Sequence, residues 1–151
     1  MSEEEEVQIE LPPADYPDAL SVARTLTPDR PVHLLRAKMI YARSSVFLQE
    51  FPGITAYAVR ANPEPKVLGE MYSAGIDWYA CDTLEEIEVV SRMLPDARIL
   101  FMHPIKSTGA IETAYKRHRV RTFVIDHPDE LRKIRSMAGS NDATLLVRIQ
   151  V

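Results

Sequence analysis

Ile76-Asp77-Trp78-Tyr79-Ala80-Cys81-Asp82-Thr83-Leu84-Glu85-Glu86-Ile87-Glu88-Val89-Val90-Ser91-Arg92-Met93 changes its periodicity part-way. The first six residues form an apolar, β-prone run of strand length. After Asp82-Thr83, the residues Leu84, Ile87, Val90 and Met93 recur at three-residue steps, which sets them on one face of a helix. The stretch reads as strand, loop, helix.

The same unit recurs on either side. Apolar runs begin near Ile54, Ile76, Arg98, Thr122 and Thr144, so successive starts lie 22, 22, 24 and 22 residues apart. Segments of helical character at 65–74, 84–93, 108–116 and 128–137 fill the gaps. The last repeats the three-residue step with Leu131, Ile134 and Met137, and Asp126 and Asp129 near its start suit the positive end of a helix dipole. Strand–loop–helix at this period requires parallel strands joined by crossover helices. Near-continuous apolar strands are buried on both faces. An open doubly wound sheet and a piece of a (β/α)8 barrel both meet these conditions. Five βα-type units are visible, and a barrel closes only with eight strands. The barrel reading is therefore a partial one, with an open strand edge that needs a partner.

Upstream, residues 1–15 are acidic, carry Pro12 and Pro13 and show no periodicity, so a flexible tail is expected there. Residues 16–151 are expected to form a single incomplete barrel domain. Its first part predicts a short helix at 18–25 and a brief strand at 32–35. A helix over 35–51 follows, with Leu35, Met39, Val46 and Phe47 on one side, ending before Pro52-Gly53.

Composition narrows the function classes. The chain has 151 residues, 46% apolar and 26% charged, with a net charge of −4, which is ordinary for one globular domain. No Lys/Arg cluster is dense enough to suggest nucleic-acid binding. The apolar runs are too short to cross a bilayer. The start, Met1-Ser2-Glu3-Glu4-Glu5-Glu6, is neither a secretory signal nor a basic transit peptide. Cys81 is the single cysteine, which excludes an intrachain disulfide framework and suits a reducing cytoplasm. The four histidines have no spacing that would put two on one helix face for a metal. The five glycines never form a GxG phosphate cradle.

In parallel βα folds, functional groups collect where strands end. Here those places hold Arg60-Ala61-Asn62-Pro63, Cys81-Asp82-Thr83, His103-Pro104-Ile105-Lys106, Asp126-His127 and Arg148. Taken singly, most read as structure: Cys81 as a small core residue, His103 and Lys106 as exposed loop residues, and Asp126-His127 as a loop and helix start. Arg148 differs. An arginine inside the apolar run TLLVRIQV points into a polar interior or meets an anion.

Tyr57-Ala58-Val59-Arg60-Ala61-Asn62-Pro63 resembles the Tyr-Ala-Val-Lys-Ala-Asn-Pro motif of the fold-type III pyridoxal-phosphate (PLP) decarboxylases of ornithine, lysine, arginine and diaminopimelate. Ala74-Gly75-Ile76 with Leu84-Glu85-Glu86-Ile87 resembles the family's second unit. Phe101-Met102-His103-Pro104-Ile105-Lys106-Ser107 is similar to bacterial ornithine/lysine-type members. Val120–Asp126, then Asp129-Glu130-Leu131, and Leu145-Leu146-Val147-Arg148-Ile149 continue the likeness, from about Val32 to the last residue. The resemblance implies a partial alanine racemase-like barrel, PLP as the family's cofactor and basic amino acids as its substrates.

It also implies a specific set of site residues. Arg60 stands at the position of the lysine that forms the Schiff base, and Ala80 at that of an aspartate near cofactor and lysine. Asn62 and Arg148 match cofactor-site residues, with Asp82 and His103 as further candidates. Asp82 lies two residues past the aspartate position, one step of about 7 Å along a strand on the same face. A guanidinium stays protonated and cannot supply the neutral amine that a Schiff base requires. The family's ring-stacking histidine, glycine-rich phosphate loop, ring-nitrogen acid and C-terminal β-domain would lie beyond Val151. The expectation is a chain that does not decarboxylate by itself and does not bind PLP covalently. It would act as a truncated pseudoenzyme, associating through its open barrel edge with a second copy or with a full-length decarboxylase. Two alternatives remain: a genuine decarboxylase represented by an N-terminal fragment or a lysine-to-arginine variant, and an anion-binding module using Arg60 and Arg148.

Overall fold

The computed structural model describes residues 16–138 and 142–149; the expected tail, residues 1–15, lies outside them. The chain divides into two compact units, Met1–Leu35 and Arg36–Val151. In the first, helix α1 (Ala19–Leu26) starts at a reciprocal cap. The Asp18 carboxylate accepts from the Ser21 backbone N–H at 2.7 Å, and the Ser21 hydroxyl faces the Asp18 N–H at 3.3 Å. Residues 31–36 form no strand, contrary to the expectation for 32–35. A short apolar run becomes a strand only with a ladder partner, and none pairs with it among the described residues.

The second unit alternates strand and helix. Helix α2 (Ala37–Glu50) leads into β1 (Ala56–Ala58) and a 3-10 turn (Val59–Ala61). Then follow α3 (Pro65–Ser73), β2 (Trp78–Cys81), α4 (Leu84–Met93), β3 (Arg98–Phe101), α5 (Thr108–Lys116), β4 (Thr122–Ile125), α6 (Pro128–Ala138) and β5 (Thr144–Val147). The five strands are parallel and lie in sequential order, β1-β2-β3-β4-β5. Local chemistry sets the helix ends. Thr83 and Ser107 cap α4 and α5 with their hydroxyls, and Pro65 opens α3 where no N–H is needed. Gly75, after α3, has φ +107°, a conformation closed to L side chains, and lets the chain turn sharply into β2.

Sequential order leaves the doubly wound sheet behind, because that fold reverses direction at a switch point and needs helices on both faces. Register shows where the helices lie. Cys81, Phe101, Phe123 and Leu145 align across β2 to β5, and all pack in one core with Leu68 of α3, Ile87 and Val90 of α4, Ile111 of α5 and Ile134 of α6. The alternate residues Ala58, Ala80 and Leu100 face the other way and belong to no helix contact of that core. One face carries helices α3 to α6 and the other is concave: this is an arc of a (β/α)8 barrel. Cys81 is a fully buried core residue, as its sequence context suggested, and burial pushes its thiol pKa up.

Helix α2 packs differently from its sequence pattern. Leu35, Met39, Val46 and Phe47 stay 41–52% exposed, while Ser44 is buried and its hydroxyl meets the Met71 sulfur of α3 at 2.9 Å. Ala37, Ile40 and Leu48 flank Ser44 on the turned-in face.

Candidate functional site

The carboxyl ends of the strands open onto a concavity of about 550 Å³. Its floor is Ala58, Ala80, Met102, Val124 and Leu146, one residue from each strand or its end, all set there by two-residue alternation. Arg60, Asp82 and Arg148 form the rim, each two positions beyond Ala58, Ala80 and Leu146. Sequence reasoning placed Arg60, Ala80, Asp82 and Arg148 at one site, and the fold brings these four together.

Arg60 sits in the 3-10 turn after β1, exposed, with its Nη1 donating to Asp82 Oδ2 at 3.0 Å. Ala58 pairs in register with Ala80, so Arg60 and Asp82, each two residues further on, come level across the two strand ends. The backbone holds Asp82 in place: its N–H donates to the Glu86 carboxylate at 2.6 Å, while the Glu86 N–H donates to the Thr83 hydroxyl at 3.2 Å. An ion pair with one partner 73% exposed is screened by solvent and worth about 0–1 kcal/mol. Its value is positional. It fills the mouth with a permanently charged fork that can neither give up a proton nor add to a carbonyl.

Arg148 lies just past β5, its backbone N–H donating to the Ile125 carbonyl at 2.8 Å. Its exposed side chain meets no carboxylate among the described residues. Asn62 and His103 are not among the residues that line the concavity. Asn62 builds the turn instead, its Oδ1 accepting from the Glu64 N–H at 3.0 Å and its carbonyl from the Tyr57 hydroxyl at 3.1 Å. His103 folds onto its own loop, Nδ1 standing 2.6 Å from the Ile105 carbonyl. Among the described residues no lysine lines the concavity, and no three metal-ligating groups converge.

The residue that sequence reasoning misread is Lys106. It is not an exposed loop residue but is 3% exposed, with its ammonium fully buried. The Nζ donates to the carbonyls of Val124 at 2.7 Å, His103 at 3.0 Å and Pro104 at 3.4 Å, and lies 3.2 Å from Glu130 Oε2. Glu130 also pairs with Lys133, whose Nζ donates to the Lys106 carbonyl at 2.6 Å. Burial drives the Lys106 pKa down in spite of Glu130. Burial pushes Glu130 up, but the hydrogen bonds from Lys133 and Lys106 outweigh it and leave the carboxyl below its ordinary range. This knot ties the β3–α5 loop to the start of α6, directly behind the site. No local signal announces it, since its two halves are 24 residues apart.

A sequential parallel sheet with helices on one face and a charged rim at the strand ends is the architecture of a (β/α)8-barrel site. The chain belongs to the pyridoxal-dependent decarboxylase family: residues 37–151 match the model of the pyridoxal-dependent decarboxylase, pyridoxal binding domain. It is 30% identical to an ornithine decarboxylase of Leishmania donovani over 126 residues, 80% of this chain and 17% of that protein. It is 34% identical to a probable ornithine decarboxylase of Dictyostelium discoideum over 94 residues, 62% of this chain and 20% of that protein. Among solved structures, the lysine/ornithine decarboxylase of Vibrio vulnificus complexed with putrescine superposes with a TM-score of 0.74 at 27% identity. That match covers 86% of this chain and 35% of that one. The chain thus spans about a fifth of the length of the curated relatives it matches.

Proposed function

We infer that this chain is a non-catalytic relative of the basic amino-acid decarboxylases, a barrel scaffold of ornithine decarboxylase type whose role is to bind a partner. One observation carries the reading. At the position of the family's Schiff-base lysine stands Arg60, its guanidinium tied to Asp82 at 3.0 Å, with no lysine along the described lining. The residues present do not fit covalent attachment of PLP, because among the described residues no lysine amine lines the mouth. Lys106 does not replace it: its ammonium has no exposed surface and is held by three carbonyls and Glu130. Ala80, at the family aspartate position, offers no carboxylate to a cofactor, and Asp82 is engaged with Arg60.

One-sided strand pairing and exposed apolar residues at the sheet edge support the partner role. Among the described residues, β1 and β5 each pair on one side only. Leu146, Val147 and Ile149 are 38%, 66% and 77% exposed along the β5 side. A second copy of this chain or a full-length decarboxylase would bury them. A lone cysteine, buried and unpaired, suits a cytoplasmic setting. No helix among the described residues is long and apolar enough to cross a membrane.

The test mixes the purified chain with PLP, reduces with borohydride and maps the product by mass spectrometry. No adduct at one defined lysine is expected; a stoichiometric adduct there would sink the reading. Arg60→Lys separates it from the view that this is a segment or variant of a genuine decarboxylase. Recovery of an adduct at position 60 would show that the mouth still accepts PLP and that the arginine alone blocks it. The anion-binding reading has its own support in Arg148, which lines the same concavity without a carboxylate partner. Noncovalent PLP binding lost in Arg148→Gln would favour it.

A further inference from the structure

A second concavity, of about 510 Å³, lies at the opposite end of the sheet, where β2, β3 and β4 begin. Among the described residues its lining includes Arg98, Arg117, His118, Arg119 and Arg121, and no carboxylate, in a chain whose net charge is −4. At this end of a barrel, residues ordinarily serve stability. Four arginines line this hollow, and the two that have no carboxylate partner among the described residues, Arg117 and Arg119, add unoffset like charge to it.

Two of the four are fixed in place. Arg98 stacks over the Trp78 ring at 5.1 Å and lies 3.6 Å from Asp77. Arg121 lies 4.0 Å over the Tyr115 ring, donates Nη1 to the carbonyls of Tyr115 and Val120, both at 3.0 Å, and Nε to Asp142 at 2.9 Å. The other two, Arg117 and Arg119, are exposed on the turn between α5 and β4 and have no carboxylate partner among the described residues. Arg119 has φ +56°, a left-handed conformation that a β-carbon disfavours, in a turn where a glycine would be at ease. The hollow thus combines two anchored cations and two unneutralised ones.

We propose that this concavity binds a small oxyanion carrying several phosphate charges, of the inorganic triphosphate class. The planar forks of Arg117 and Arg119 match phosphate oxygens two at a time. Arg98 and Arg121, held on Trp78 and Tyr115 and paired with Asp77 and Asp142, form the fixed wall of the hollow. Arg117 and Arg119 close over the anion from the turn. The volume is that of a small-molecule site. Nucleic acid calls for a basic stripe along a face, whereas these cations come from one turn and one strand start. The site is independent of Arg60 and of the reading built on it.

Isothermal titration of the 151-residue chain with sodium triphosphate, at constant ionic strength near the physiological value, tests the assignment. The expected result is saturable one-to-one binding, weakened at least about tenfold in Arg117→Gln and in Arg119→Gln. Arg92→Gln, at an exposed arginine of α4 outside the hollow, should bind as the parent does. Arg119→Gly relaxes the backbone and should be at least as stable as the parent while binding as weakly as Arg119→Gln. The proposal is overturned by binding that does not saturate, or by undiminished binding in both glutamine variants. Tighter binding of citrate, of a single-stranded oligonucleotide or of a poly-glutamate peptide than of triphosphate would overturn it equally.

Discussion

Replacing Lys106 by Met is the sharpest test of what holds the site's supporting loops. The change keeps the hydrocarbon stem that packs by the Phe101 ring, 5.8 Å from the ammonium, and removes only the charge and its three donors. Glu130, 5% exposed, then keeps Lys133 as its one ammonium, itself 30% exposed. Breaking a buried ion pair from one side costs about 3–5 kcal/mol. The surviving Lys133 pair argues for the lower end, so a loss of about 3 kcal/mol is expected. In a domain of this size that lowers the melting temperature by roughly 12 °C. Urea unfolding followed by circular dichroism measures it. Glu130→Gln should also destabilise, because it leaves two ammoniums facing each other, and the double variant should recover part of the sum.

The same pair sets an acid dependence. Glu130 has a folded pKa below its ordinary 4.5, so its contribution is complete above that value and fades as pH falls through the lowered folded value. The parent's advantage over Lys106→Met should therefore shrink across that acidic range. Lys106 has a folded pKa below its ordinary 10.5, so folding releases its proton in the window between the two values. Its contribution to stability rises with pH there. A loss under about 1 kcal/mol in Lys106→Met, independent of acid pH, would refute the claim that the knot holds these loops.

Arg60→Ala and Asp82→Asn should each change unfolding free energy by no more than about 1 kcal/mol, since their pair faces solvent; urea midpoints with unchanged slopes check this. Gly75→Ala should cost roughly 1–2 kcal/mol, read as a lowered melting temperature, because its φ of +107° is closed to alanine. The Cys81 thiol, buried and with its pKa pushed up, should stay unlabelled by a thiol-disulfide reagent in the native chain and react at once in denaturant. Rapid native labelling would mean that the helix–sheet core opens far more readily than its packing implies.

The sequence by itself determined the strand and helix units and their succession along the chain. The 22-residue rhythm locates all five strands and the helices between them, because period-2 and period-3.6 patterns are local and each element must bury its own apolar face. The Tyr57–Pro63 motif points, by its resemblance, to the strand-end concavity as the candidate site, and Arg60 in it is visible as a single letter. Tertiary structure decided what a one-dimensional pattern cannot carry. Only the pairing order tells a barrel arc from a doubly wound sheet, since both are written with the same strands and helices. Helix α2 likewise follows the neighbour it meets in α3, and turns in Ser44 where its sequence offers Met39 and Phe47. Lys106 shows the limit most clearly. In the chain it is a polar residue in a loop, and only the approach of β4 and α6 supplies the carbonyls and carboxylate that make burying a charge possible.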